Sequence, residues 1–99
     1  MKKIEEMIEE LDEEVEGATE YAERYIENRA RGDMSRANRF KEMANDELKH
    51  AGYIRDMSIG DVEELKKVYT MSDTEEEKWR RGLKCANEKM AIVKNMLGA

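Results

Sequence analysis

The stretch Arg39-Phe40-Lys41-Glu42-Met43-Ala44-Asn45-Asp46-Glu47-Leu48-Lys49-His50-Ala51-Gly52-Tyr53-Ile54 decides how this chain is read. Phe40, Met43, Ala44, Ala51 and Ile54 recur at the spacing of one face of an α-helix. At about 100° per residue, Glu47 falls between Met43 and Ile54, near the middle of that arc, and His50 falls at its edge one turn on. A helix keeps carboxylates off its apolar stripe unless the charge is needed there. A Glu-x-x-His pair aimed into a helical bundle is one way carboxylate-bridged metal sites are built. The stretch therefore sets two expectations: a bundle of helices, and Glu47 and His50 as metal ligands.

Composition points the same way on fold. The chain has 99 residues, no proline and 42% charged residues, so strong helix formers dominate and strand formers are sparse. An all-α single domain near the lower size limit for a self-sufficient core is expected. The formal net charge of −6 argues against a nucleic-acid partner, because neutralising phosphates takes a basic face. No apolar run is long enough to span a membrane. Met1-Lys2-Lys3-Ile4-Glu5-Glu6 lacks the apolar core of a signal peptide. Cys85, the single cysteine, can form no internal disulfide and lies on a polar helix side. A cytoplasmic protein is expected.

Three helices follow from the periodicity. Helix 1 is expected over about 2–30, with the stripe Ile4, Met7, Ile8, Leu11, Val15, Ala18, Ala22, Tyr25 and Ile26. Gly32 supplies its stop, and Asp33 or Ser35 the next cap. Helix 2 is expected over about 34–70. Ser58-Ile59-Gly60-Asp61 could start a separate helix, but Ile54, Ser58, Val62, Leu65 and Tyr69 keep one rotational phase. One long helix, with any bend at Gly60, is therefore favoured. Helix 3, about 73–97, opens on the capping box Ser72-Asp73-Thr74-Glu75. Its stripe is Trp79, Leu83, Ala86, Met90, Val93 and Leu97, with Gly82 beside it to allow close packing. Short connections make the three an antiparallel bundle.

A third residue strengthens the metal reading. Glu14 sits at the edge of the helix 1 stripe, whereas most other acids of that helix point elsewhere. If the chain folds back at Gly32, Glu14 and His50 are equally far from the turn and so lie level. Glu47 is one turn nearer, about 4.5 Å along the axis. Oxygen-rich ligation with one imidazole suits iron or manganese, and admits zinc. The set is half of a two-metal centre, which takes a Glu from each of two helices and a Glu-x-x-His from each of two more. Folding helix 3 back brings only Met90, Val93 and Leu97 to that height. A two-fold homodimer would supply four Glu and two His around two metals, with helix 3 as a dry outer cover or a contact in a larger homo-oligomer.

Glu14-Val15-Glu16-Gly17-Ala18-Thr19-Glu20-Tyr21, followed by Glu47-Leu48-Lys49-His50-Ala51, resembles one half of a ferritin-like or rubrerythrin-like di-iron carboxylate protein. It is similar to the short ferritin-like proteins, such as encapsulin-associated ferritins, that complete their centre by dimerising. The resemblance covers roughly residues 8–58. It implies Glu14, Glu47 and His50 as iron ligands, Glu47 bridging, and Tyr21 as a hydrogen-bond donor behind them. It also implies a hairpin that forms a four-helix bundle by homodimerisation, with ferroxidase-type oxidation of Fe(II) as its chemistry. The competing reading is a metal-free helical oligomerisation or adaptor module, of mobile-element origin, whose Glu/His cluster is a relic or a structural lock. Its protein partner is not specified by the sequence. Acid–base hydrolysis by Glu47 and His50 lacks any accompanying nucleophile or phosphate loop.

Overall fold

The computed structural model describes residues 4–98, and these are all-helical with no strand. Helix α1 spans Ile4–Ala30, α2 spans Met34–Val68 and α3 spans Asp73–Gly98. The 35 residues of α2 rise about 52 Å at 1.5 Å each. That length sets the long dimension of a 54 × 18 × 17 Å rod. α2 runs unbroken through Gly60, whose missing side chain faces open space. Ser58 and Val62, on either side of it, stay buried.

Local chemistry fixes the end of α1 and the starts of α2 and α3. Gly32 has φ 80°, a left-handed conformation that costs a residue without Cβ little. With it, the Gly32 N–H donates to the Arg29 carbonyl and the Asp33 N–H to the Asn28 carbonyl, the paired closure of a Schellman motif. Asp33 then caps α2 by accepting from the Arg36 N–H at 3.1 Å. At the start of α3 the Glu75 N–H donates to Ser72 Oγ and the Ser72 N–H donates to Glu75 Oε1, both at 3.1 Å. The Tyr69 hydroxyl is a second donor to the Glu75 carboxylate. These donors, the Ser72 N–H first, hold the Glu75 carboxyl below its ordinary pKa. Ser72→Ala should cost about 1 kcal/mol, read as a lower urea midpoint at unchanged slope; an unshifted midpoint would mean the box contributes nothing.

Packing is unequal. α1 is central: α2 lies against one side of it and α3 against another, while α2 and α3 hardly touch. The main core joins Leu11, Val15, Ala18, Ala22 and Tyr25 of α1 to Ala37, Ala44, Leu48 and Ala51 of α2 and to Ala86, Met90, Val93 and Leu97 of α3. A second cluster joins Ile4 and Met7 to Val62, Met71 and Trp79. A Cβ on Gly82 would fall 2.9 Å from the Ile8 side chain, so this glycine lets α3 seat closely on α1.

The buried face of α2 differs from the sequence expectation. It is centred on Ala37, Ala44, Leu48, Ala51, Ser58 and Val62, roughly 60° around the helix from Glu47. Met43, expected inside, is 40% exposed, and Leu48, not expected inside, is buried. Ile26 of α1 is likewise exposed. The reason is that α2 has one close neighbour. Small residues let two helix backbones approach, so the alanine row sets the contact and the larger Phe40, Met43 and Ile54 are left on its flank.

Candidate metal centre

α1 and α2 bring Glu14, Glu47 and His50 together: one ligand atom from each lies within 4.8 Å of the other two. The tight Schellman turn makes this happen, because it fixes which residues of the two helices are level. The site is not sealed inside the chain. Glu14 and Glu47 are half-buried and His50 is exposed, with side-chain exposures of 27% for Glu47 and 57% for His50. The expectation that Glu47 lies mid-stripe is therefore corrected. The trio occupies the rim of the α1–α2 contact, because the alanine row and not the larger residues faces α1.

Its electrostatics are those of a charge-crowded site. His50 Nδ1 stands 3.8 Å from Glu47 Oε1. The Glu14 carboxyl is held above its ordinary pKa, first by its hydrogen bond to Glu47, then by burial, then by the negative charges of Glu47 and Glu10; the positive charge available on His50 works the other way. Two carboxylates this close repel when both are charged, and a bound cation would relieve that repulsion. A first-row cation with bonds of about 2.1 Å needs ligands about 3–4.2 Å apart. The three candidate atoms lie within 4.8 Å of one another, close to that range, and two carboxylates with an imidazole suit such an ion.

Gly17 is a residue whose role the sequence did not assign. A Cβ there would stand 3.4 Å from Glu47 Oε2, in van der Waals contact with the carboxylate. The signal was present, since a mid-helix glycine costs about 1 kcal/mol relative to alanine and Gly17 is level with Glu47 across the turn. Tyr21, taken by resemblance as a hydrogen-bond donor to the ligands, stacks on Phe40 with ring centroids 6.3 Å apart. It is two turns from Glu14 toward the α1–α2 connection and packs against the main core. Cys85 is exposed on α3, a helix that contributes none of the three ligands.

The raised Glu14 pKa has a definite pH consequence. A carboxyl that binds its proton more tightly folded than unfolded removes stability as pH climbs from the ordinary carboxylate value through the raised one. Chelator-treated protein should therefore lose stability across that window, and Glu14→Gln should flatten the slope and be the more stable form above it. Thermal melts at stepped pH measure this; parallel curves for the two proteins would show that the Glu14 carboxyl is not held above its ordinary pKa.

No helix among the described residues is long and apolar enough to cross a membrane. No protein-family model, curated protein or solved structure matches the chain.

Proposed function

We propose that this chain is a ferritin-like metal-binding protein that holds a carboxylate–imidazole di-iron centre between two copies of itself. Fe(II) is the substrate as well as the bound metal, and oxygen or peroxide is the oxidant that takes its electron; manganese or zinc could occupy the same ligands. The observation that carries the reading is the convergence of Glu14, Glu47 and His50 within 4.8 Å on one open face of the α1–α2 hairpin. Each chain offers three ligands, so a two-metal centre needs two chains, and the hairpin pair would form a four-helix bundle with α3 outside it. Glu14 and Glu47 would favour Fe(III) over Fe(II), since hard oxygen donors and negative charge stabilise the higher charge. The reading places the protein in the cytoplasm, in keeping with its lone thiol.

The test combines elemental analysis of purified protein with absorbance growth in the near ultraviolet after anaerobic protein and Fe(II) meet oxygen. Wild type should retain iron and show the growth, and His50→Ala should lose both. Equal iron in the two proteins would remove the reading.

The second reading, a metal-free oligomerisation or adaptor module, draws on the exposed Met43 and Met57 beside the trio. It expects chelator to leave melting and association unchanged, and Glu47→Leu to stabilise the protein by replacing a half-buried charge with a packed apolar group.

A further inference from the structure

The flank of α2 that α1 covers only in part, with Tyr21 stacked on Phe40, carries a second seam. Phe40, Glu47 and Ile54 repeat every seventh residue, and so do Met43, His50 and Met57. These are the a and d positions of a heptad pattern, the signature of a helix that packs against another along a narrow strip. The strip is distinct from the row Ala37, Ala44, Ala51 and Ser58 that faces α1. Phe40 and Ile54 are half-buried, whereas Met43 and Met57 are 40% and 62% exposed.

The seam reads the same from both ends. About a point between Leu48 and Lys49, His50 mirrors Glu47, Ile54 mirrors Met43 and Met57 mirrors Phe40. Each mirror pair joins an a position to a d position, which is how antiparallel helices interlock. An isologous two-fold contact requires this kind of self-complementarity. The charges agree too, because an acid meets an imidazole at the centre and apolar residues meet apolar residues on either side. α3 does not stand in the way, since it sits on α1 and hardly touches α2.

We infer that a second copy of the chain covers this face in one register, with α2 antiparallel to its mate and the two-fold axis crossing between Leu48 and Lys49. Met43 then packs on the second copy's Ile54, Phe40 on its Met57, and Glu47 lies opposite its His50. The inference rests on the proposed function for what fills the centre, and adds the partner's orientation and register. It also gives Gly17 a second use. The same axis crosses α1 between Val15 and Glu16, level with the point on α2, so Glu14 comes opposite the second copy's Gly17. A side chain at that position would meet an incoming carboxylate.

Cysteine cross-linking tests the register. In a Cys85→Ser background, Met43→Cys with Ile54→Cys should oxidise to a covalent dimer. Within one chain the two are eleven residues apart on one helix, about 16 Å, so any disulfide joins two chains. Phe40→Cys with Met57→Cys should behave alike. Met43→Cys alone and Met57→Cys alone should link at least about tenfold more slowly, because antiparallel copies hold each residue far from its own mate and disulfides need Cα atoms within about 7 Å. Equal rates for single and paired variants would overturn the inference, since parallel helices or chance collisions give that pattern. Met57→Arg in the otherwise unchanged chain avoids any effect of the cysteines on the seam. It should keep its helical circular dichroism and become monomeric by light scattering, and a wild-type dimeric mass for it would also overturn the inference.

Equilibrium dialysis of the paired variant with Co(II) separates this inference from the metal reading. In-register links without bound cobalt keep the register and remove the metal. Cobalt held by chains that do not link keeps the metal and removes the register.

Discussion

Adding Fe(II) anaerobically, at about a hundred times its dissociation constant, should stabilise the protein by about 2.7 kcal/mol per site. For a chain this size that is a rise in melting temperature of about 10–20 °C. Glu47→Ala should abolish the rise. The size follows from mass action alone, since at that ratio an ion that binds the folded chain and not the unfolded one shifts the equilibrium by this amount. Glu47 and burial hold the Glu14 carboxyl above its ordinary pKa, and a divalent ion at the proposed site would replace that repulsion with attraction. Glu47→Ala should cost little stability in chelator, because its side chain sits on the rim of the α1–α2 contact and not in it. The two melts therefore separate loss of a ligand from loss of the fold. A metal-dependent rise that survives in Glu47→Ala would place the cation elsewhere on an acidic surface, and the proposed function would fall with it.

The second large effect concerns the end of the rod away from the α1–α2 turn. Trp79 is 9% exposed and joins Ile4, Met7, Val62 and Met71 in the smaller cluster. Truncating a buried tryptophan to alanine costs about 3–5 kcal/mol, against a total of about 5–15 kcal/mol for a typical domain. Trp79→Ala should therefore melt at least about 10 °C below wild type. It should nevertheless keep its metal stoichiometry in the cold, because Glu14, Glu47 and His50 lie on α1 and α2 beside the other cluster. Calorimetry and metal analysis on one preparation measure both. A drop of less than about 3 °C would show that α3 is held by its links to the main core alone, and coincident loss of metal would show that α3 positions the ligands.

Much of the site was legible because its determinants are local or depend on counting. Ser72 and Glu75 announce a cap by their spacing, and the structure shows both hydrogen bonds. Gly32 and Asp33 announce a tight turn, and a tight turn makes sequence distance equal height. That is why counting residues from the turn is enough to match Glu14 to His50. What the pattern misjudged was rotation. Phe40, Met43 and Ile54 outweigh alanines in any reading of apolar character, so by periodicity they mark the inward face. In the fold they mark its flank, and His50 faces outward in the single chain.

The sequence by itself determined the helices, their ends and the heights of Glu14, Glu47 and His50, because helix propensity, capping and rise per residue act over a few residues and need no partner. Only the tertiary structure decided which side of α2 meets α1, where α3 sits and how open the trio is. Those depend on how closely two backbones can approach. Ala44 and Ala51 permit a closeness that Met43 and Ile54 do not, and that steric difference turned α2 by roughly 60° and left Met43, His50 and Met57 on the outside.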